Sequence, residues 1–376
     1  MPEAYTYDLS RLAASAGISS PEADRLAALQ TLASLARDGA ALWENRQVRA
    51  ALMSSAAAGQ PIKGRKCALD ALGSLALDDE IRSAMVQDSG VRAVLAGSAA
   101  ALQPTGVRAE ALDVLKILVI SDETADAIWE DSAARAVIVA GAAADQPDEV
   151  RVAALHALAG IVARNGVSPE DVRRRTVWDD AAARAAIVAA AAAWQPAEVR
   201  RGALQALAGL AFAHEVAQPM WENAAIHAGV MAGAAVGQPD RVRASALQVL
   251  GNLGYEAIAQ PMWEDAAVRA VLAAGAAAGQ PAGARLEAMG ALKSFSFHVA
   301  VRQAIWEDVA VRAAIEIGAA DEDPYVREDA LKALDNLMSV REAEATQHAN
   351  ALLAEVEAEE RAKGKKGKKK KKKKKG

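Results

Sequence analysis

The side chains able to hold a metal, attack a carbonyl or carry a proton are few in this 376-residue chain, and they are scattered. The five histidines, His156, His214, His227, His298 and His348, show no metal-ligand spacing, and Cys67 is the one cysteine. There is no GxxxxGK[ST] loop, no GxGxxG after a strand and no GxSxG elbow. Acid pairs are frequent, but they recur beside tryptophan, as in Trp263-Glu264-Asp265. Chemistry that repeats along a chain suits structure better than a single active centre. The expectation is a protein that is not an enzyme and uses no cofactor and no metal.

Arginine is the charged residue with the most regular placement. One series lies four residues after a proline, at Arg25, Arg65, Arg108, Arg151, Arg200, Arg243 and Arg285, with Arg327 one place early. A second lies six residues after a tryptophan position, at Arg49, Arg92, Arg135, Arg184, Arg269 and Arg312, with His227 in the remaining unit. Two basic stripes could serve nucleic acid. Every unit also supplies acids beside the tryptophan, however, so ion pairs between layers are the expected role of both series.

These series need a repeating scaffold, and the prolines reveal it. Pro61, Pro104, Pro147, Pro196, Pro239, Pro281 and Pro324 are 42 to 49 residues apart. Trp43, Trp129, Trp178, Trp221, Trp263 and Trp306, with Val86 filling the missing beat, each stand 18 residues before one of them. Length varies only between proline and the next tryptophan, so that half of the unit holds the loop that tolerates insertion. After each proline, apolar residues fall at +3, +7, +8, +11 and +14, as in Val242, Ala246, Leu247, Leu250 and Leu253. That is one stripe of a helix whose first turn starts at proline. An eighth copy begins at Pro21. The segment between tryptophan and proline predicts a middle helix, and the residues before tryptophan a short one. A stretch such as "QPMWEDAAVRAVLAAGAAAGQP" (260–281) is then expected to be framed by the entries to two neighbouring layers. The tryptophans, with Met220 and Met262 beside two of them, are expected to fill gaps in the core.

A period near 43 with three helices indicates a stacked α-solenoid. The residues "EIRSAMVQDSGVRAVLAGSAAALQPTGVRAEALDVLKIL" (80–118) resemble an armadillo repeat. "DEDPYVREDALKALDNL" (321–337) resembles the closing half of an armadillo or HEAT repeat. The expected fold is all-α: a right-handed α-solenoid superhelix of armadillo-like three-helix repeats. An N-terminal segment (1–20) precedes a solenoid (21–340) of one incomplete and seven full repeats; an acidic helix (341–362) and a disordered lysine-rich tail (363–376) follow.

The resemblance implies that the long helices line a concave groove. Their outward positions at +9 are Gln30, Asp70, Asp113, His156, Gln205, Gln248, Gly290 and Lys332. At +13 they are Ser34, Ser74, Ile117, Gly160, Gly209, Asn252, Ser294 and Asn336. In peptide-binding armadillo families the first position often carries Trp and the second Asn, which grips the backbone of an extended peptide. Here only Asn252 and Asn336 match, which argues against a carrier of basic signals. The groove candidates are Asp70, Asp113, His156, Gln205, Gln248, Asn252, Lys332 and Asn336, with a protein or peptide partner expected.

A six-residue insertion sits in the stretch 163–178, which contains Asn165-Gly166, a turn signal, and Ser168 as a helix-cap candidate. Arg173, Arg174 and Arg175 within it are expected on a solvated helix face. The tail holds eleven lysines and no acid, whereas residues 1–362 carry 32 basic against 48 acidic residues. Lys368, Lys369, Lys370, Lys371 and Lys372 form its densest part, for which nucleic acid, an anionic membrane, nuclear import or the acidic body itself are all physical partners. A plain solubilising end is the bland alternative. The chain starts without a secretory pattern and has no apolar stretch long enough to span a membrane. A cytoplasmic or nuclear monomer is the expectation.

Overall fold

The computed structural model describes residues 8–36, 39–163 and 172–338, with scattered helical positions between 342 and 356. All regular structure among these residues is helical. The chain divides into two compact units, Met1–Ile258 and Ala259–Gly376.

In the first unit, α1 (Leu9–Ala16) and α2 (Glu22–Leu35) form an opening pair. Four full triplets follow, each a short, a middle and a long helix. They are α3 (Ala40–Glu44), α4 (Arg46–Ala56) and α5 (Ile62–Leu75); α6 (Asp79–Gln87), α7 (Ser89–Ala99) and α8 (Thr105–Leu118); α9 (Asp122–Glu130), α10 (Ser132–Ala142) and α11 (Asp148–Val162); and α12 (Val172–Asp179), α13 (Ala181–Ala190) and α14 (Ala197–Leu210). A fifth triplet, α15 (His214–Glu222), α16 (Ala224–Ala234) and α17 (Asp240–Leu253), ends the unit. The second unit repeats the plan with α18 (Ala259–Glu264), α19 (Ala266–Ala276) and α20 (Ala282–Ser296), then α21 (Val299–Glu307), α22 (Val309–Gly318) and α23 (324–338).

Each long helix begins where proline ends an extended turn. Pro61, Pro104, Pro147, Pro196, Pro239 and Pro281 occupy the N-cap with φ near −55° and ψ near 140°. The fixed φ of the ring suits this corner, and its missing N–H is one that the first turn would leave unpaired. Two residues earlier, Gly59, Gly237 and Gly279 take φ of +86° to +89°, which only glycine adopts at little cost. The earlier Gln-Pro of the repeated stretch has a different place. Pro219 lies inside short helix α15 and Pro261 inside α18, so only the second Gln-Pro of each stretch opens a long helix.

The acid or amide two places after the tryptophan starts the middle helix. Asn45, Asp88, Asp131, Asp180, Asn223 and Asp308 accept hydrogen bonds from the backbone N–H groups of the first turn. This N-cap is worth about 1 kcal/mol in each unit, and it explains why an acid recurs there.

Burial follows the stripe at +3, +7, +8, +11 and +14: Val242, Ala246, Leu247, Leu250 and Leu253 are at most 1 % exposed. A further row at +10, comprising Ala71, Val114, Ala157, Ala206, Val249 and Ala291, is also buried. Val114 of this row lies against Gly73 of the preceding long helix, so a long helix packs on its own repeat with one side and on a neighbouring long helix with another. Within the first unit α8, α11, α14 and α17 stack in this order. Small side chains let these helices approach closely, and dispersion contacts accumulate over many short reaches.

The tryptophans serve the core as expected. Trp43, Trp129 and Trp263 are buried, Trp178, Trp221 and Trp306 are half-buried, and Met220 and Met262 are fully buried. The Trp129 Nε1–H donates across the layers to Thr176 Oγ1 at 3.0 Å.

Candidate functional site

The first arginine series works through amides more than through ion pairs. The Arg65 Nη1 donates to Gln103 Oε1 at 2.7 Å, Arg108 Nη2 to Gln146 at 2.6 Å, Arg151 Nη1 to Gln195 at 2.9 Å and Arg200 Nη1 to Gln238 at 2.7 Å. Each acceptor is the glutamine of the next Gln-Pro corner. The Nε of Arg65 and Arg108 also donate to the carbonyls that end the middle helices of their own repeats, at Ala56 and Ala99. A buried guanidinium is thereby held by neutral oxygens, and burial lowers the pKa of Arg65 and Arg200. Acids join this series at Asp148, 3.3 Å from Arg151, and at Asp321, which takes the glutamine's part and pairs Arg285 through both oxygens at 2.8 and 2.9 Å. The expected ladder of ion pairs is therefore a ladder of charge-to-amide hydrogen bonds, because a glutamine costs far less to bury than a carboxylate.

The second series turns back on its own repeat. Arg49, Arg135, Arg269 and Arg312 donate to the tryptophan carbonyl six residues earlier at 2.6 to 3.0 Å. The guanidiniums of Arg49, Arg135, Arg184 and Arg312 also lie over the tryptophan rings, 5.2 to 5.7 Å from their centroids. Interlayer ion pairs exist in this series at Arg92–Asp131 (2.7 Å) and Arg269–Asp308 (3.3 Å).

The three arginines after the insertion are not a solvated basic face. Arg173 is buried and pairs with Asp122 and Asp126 at 2.5 and 2.6 Å. Arg174 is buried, donates to the Val162 carbonyl at 2.9 Å and lies over the Phe212 ring. Only Arg175 is exposed, bridging Asp179 and Glu215. The arginines hold α12 against α9 and against the end of α11. Asn165, Gly166 and Ser168, for which a turn and a helix cap are expected, and the tail lysines Lys368 to Lys372 lie outside the described residues.

One trough of about 770 Å³ opens on the long helices of the first unit. It brings together His156, Gln205, Gln248 and Asn252 with Lys116 and Arg201, over a floor that includes Gly160, Ala208 and Gly209, with Phe212 on its wall. Four of the eight groove candidates thus share one concavity. Lys116 at +12, Arg201 at +5 and Phe212 at +16 were not singled out from the sequence. They lie one helical turn or two from +9, so the 3.6-residue period places them on the same stripe.

His156 is half-buried, and its Nε2 is buried without a hydrogen-bond partner among the described residues. Burial first, then Arg201 and Lys116, hold its pKa below the usual histidine value. Lys116 pairs with Asp113 at 2.5 Å and Arg201 with Glu198 at 2.7 Å. Asn252 Nδ2 donates across the layer to the Ala208 carbonyl at 2.8 Å, which locks its orientation. Position +13 is therefore a seam between layers more than an outward face: Gly209 is buried, and a Cβ there would stand 2.6 Å from the Val162 carbonyl oxygen.

Asp70 and Asp113 belong to a separate acidic patch on α5 and α8. The Glu110 carboxyl is raised, first by burial and then by Asp70 and Asp113. Lys332 and Asn336 lie in the second unit. There Lys332 pairs with Glu328 at 2.5 Å, and Asn336 Nδ2 donates to Ser296 Oγ at 2.9 Å. Among the described residues, no cluster of three or more His, Cys, Asp or Glu could hold a metal, and no helix is long and apolar enough to cross a membrane.

No protein-family model matches the chain, and no curated protein matches it significantly. Solved structures do. A designed armadillo repeat protein, YIII(Dq.V1)4CPAF in complex with the peptide (KR)4, superposes with a TM-score of 0.55 at 18 % identity, over 65 % of this chain and 98 % of that one. The fold is armadillo-like. An engineered protein is similar at TM-score 0.53 and 22 % identity, over 65 % of this chain and 95 % of the other. At such identities the likeness concerns the fold. The armadillo-like stack accounts for the three-helix unit, the proline corner and the row of long helices that carries the trough.

Proposed function

We propose that this armadillo-like protein is a noncatalytic scaffold that binds a segment of a partner protein along the long helices, centred on the trough of the first unit. One observation carries this reading: Gln205, Gln248 and Asn252, from two successive long helices, line the same concavity. Amides in a row offer donors and acceptors to the backbone of an extended chain, whatever its side chains. The side chains of Gln205 and Gln248 make no hydrogen bond to the protein among the described residues. Asn252 keeps its Oδ1 and second N–H after its bond to Ala208. The similar designed protein was solved with a peptide, (KR)4, which fits a fold suited to this task.

The test is the double variant Gln205→Ala/Gln248→Ala. Each amide contributes about 0.5–1.5 kcal/mol per hydrogen bond, so partner capture should weaken by roughly ten-fold or more. The melting temperature should hardly move, since Gln205 is half-buried and Gln248 exposed. Unchanged capture by a folded variant would remove the groove from the function.

A further inference from the structure

The trough has a charge that the chain as a whole does not share. Residues 1–362 are strongly acidic, yet the lining of the trough contains Lys116 and Arg201 and no carboxylate. The acids that pair with them, Asp113 and Glu198, stand outside that lining. Both pairs are i,i+3 contacts with an acid about half exposed, at 44 % and 56 % for the side chains. Such half-exposed pairs are weak and screened by water, so a better-placed anion displaces them readily. His156 adds a ring whose Nε2 has no hydrogen-bond partner among the described residues, and Phe212 supplies an apolar wall.

We infer that the trough receives an acidic side chain of the bound segment, its carboxylate held between Lys116 on α8 and Arg201 on α14. This deepens the groove reading and rests on it. The carboxylate accepts from the guanidinium of Arg201, the ammonium of Lys116 adds its charge from across α11, and the amides of Gln205, Gln248 and Asn252 hold the flanking backbone. The acidic patch of Asp70, Glu110 and Asp113 on α5 and α8 sets the register. A segment shifted so that its acid lies there meets three carboxyls, only partly offset by Lys66 and Lys116, and one of them already disfavoured as an anion. The site therefore discriminates by position as well as by charge.

The experiment selects binders from random dodecapeptides displayed on phage, using the full chain, and then measures the best peptide by fluorescence anisotropy. The selected peptides should share an acidic residue, and its replacement by Gln or Asn should weaken binding about ten-fold or more. On Lys116→Gln/Arg201→Gln the acidic peptide and its amide version should bind alike. The lysine tail is present in every arm, so its attraction for acids cancels in this comparison. Arg201→Lys keeps the charge and should keep most of the preference; it serves alone if the double variant melts early. Equal binding of both peptides to the unaltered protein overturns the inference, as does a preference that survives in the double variant. Either result leaves the groove intact if Gln205→Ala/Gln248→Ala still weakens binding about ten-fold or more. Selected peptides indifferent to those two glutamines, or an empty selection, overturn the groove reading as well.

Discussion

Glu287 shows how a single residue can make the stack sensitive to pH. It lies half-buried on α20, and its pKa is pushed up to about 7, first by burial and then by Asp329, with Lys293 opposing. Lys293 is held by Asp329 at 2.5 Å, so its charge is shared. A carboxyl with a raised folded pKa binds its proton more tightly in the native state. Its stabilising contribution is complete below the unfolded value of 4.5 and is lost as pH rises through about 7. Thermal melts should show stability declining across that interval, and Glu287→Gln should flatten the decline and melt higher than the unaltered protein above neutrality. A slope unchanged in the variant would assign the decline to other groups. At the same scale, the arginines after proline show why the partner of a charge matters more than its presence. A glutamine at the next corner satisfies a buried guanidinium without burying a second charge.

At the scale of the element, the long helices are shaped by how near they come to one another. The Cβ of an alanine at Gly209 would meet Val162 Cγ2 and the Val162 carbonyl oxygen at 2.6 Å each. The carbonyl belongs to the last turn of α11 and cannot rotate away, so Gly209→Ala should cost roughly 1–3 kcal/mol. Gly97 in the last turn of α7 gives the contrast, since a Cβ there meets nothing within 4 Å. Gly97→Ala should gain about 0.5–1 kcal/mol from helix propensity alone. Opposite shifts in the melting temperatures of the two variants check the layer contact. Shifts of the same sign would show that the helices separate more easily than this packing implies.

Across the whole molecule, two kinds of binding compete. The body offers a trough and amides, whereas the sequence ends in a run of lysines whose attraction for phosphates would fall steeply with salt, with a slope near −0.9 per contact. The proposed capture by the trough would rest on short-range hydrogen bonds and on cations that are partly screened already. A pull-down with the full chain and with the chain ended at Ala362, at low and at moderate salt, should therefore retrieve the same partner in every arm. Partners lost with the tail, or released by salt and nuclease, would make nucleic acid the ligand and the lysines its site.

The period, the three-helix unit and the buried stripe are legible in the residues because each rests on local rules. Proline sets a corner, an acid caps a helix, and apolar residues recur every 3.6 positions. The +10 row stayed hidden because it is largely alanine, which a chain this rich in alanine cannot mark as core. The roles of polar residues needed the tertiary structure. A glutamine before proline looks like surface until an arginine some 38 residues earlier is seen to reach it. The arginines at 173 and 174 read as a basic face until Asp122, Asp126 and the Val162 carbonyl enclose them. Lys116 comes from one layer and Arg201 and Phe212 from another, and only stacking brings them around one trough. Sequence periodicity determines which way a side chain leaves its own helix, while the neighbours it meets depend on how the layers stack.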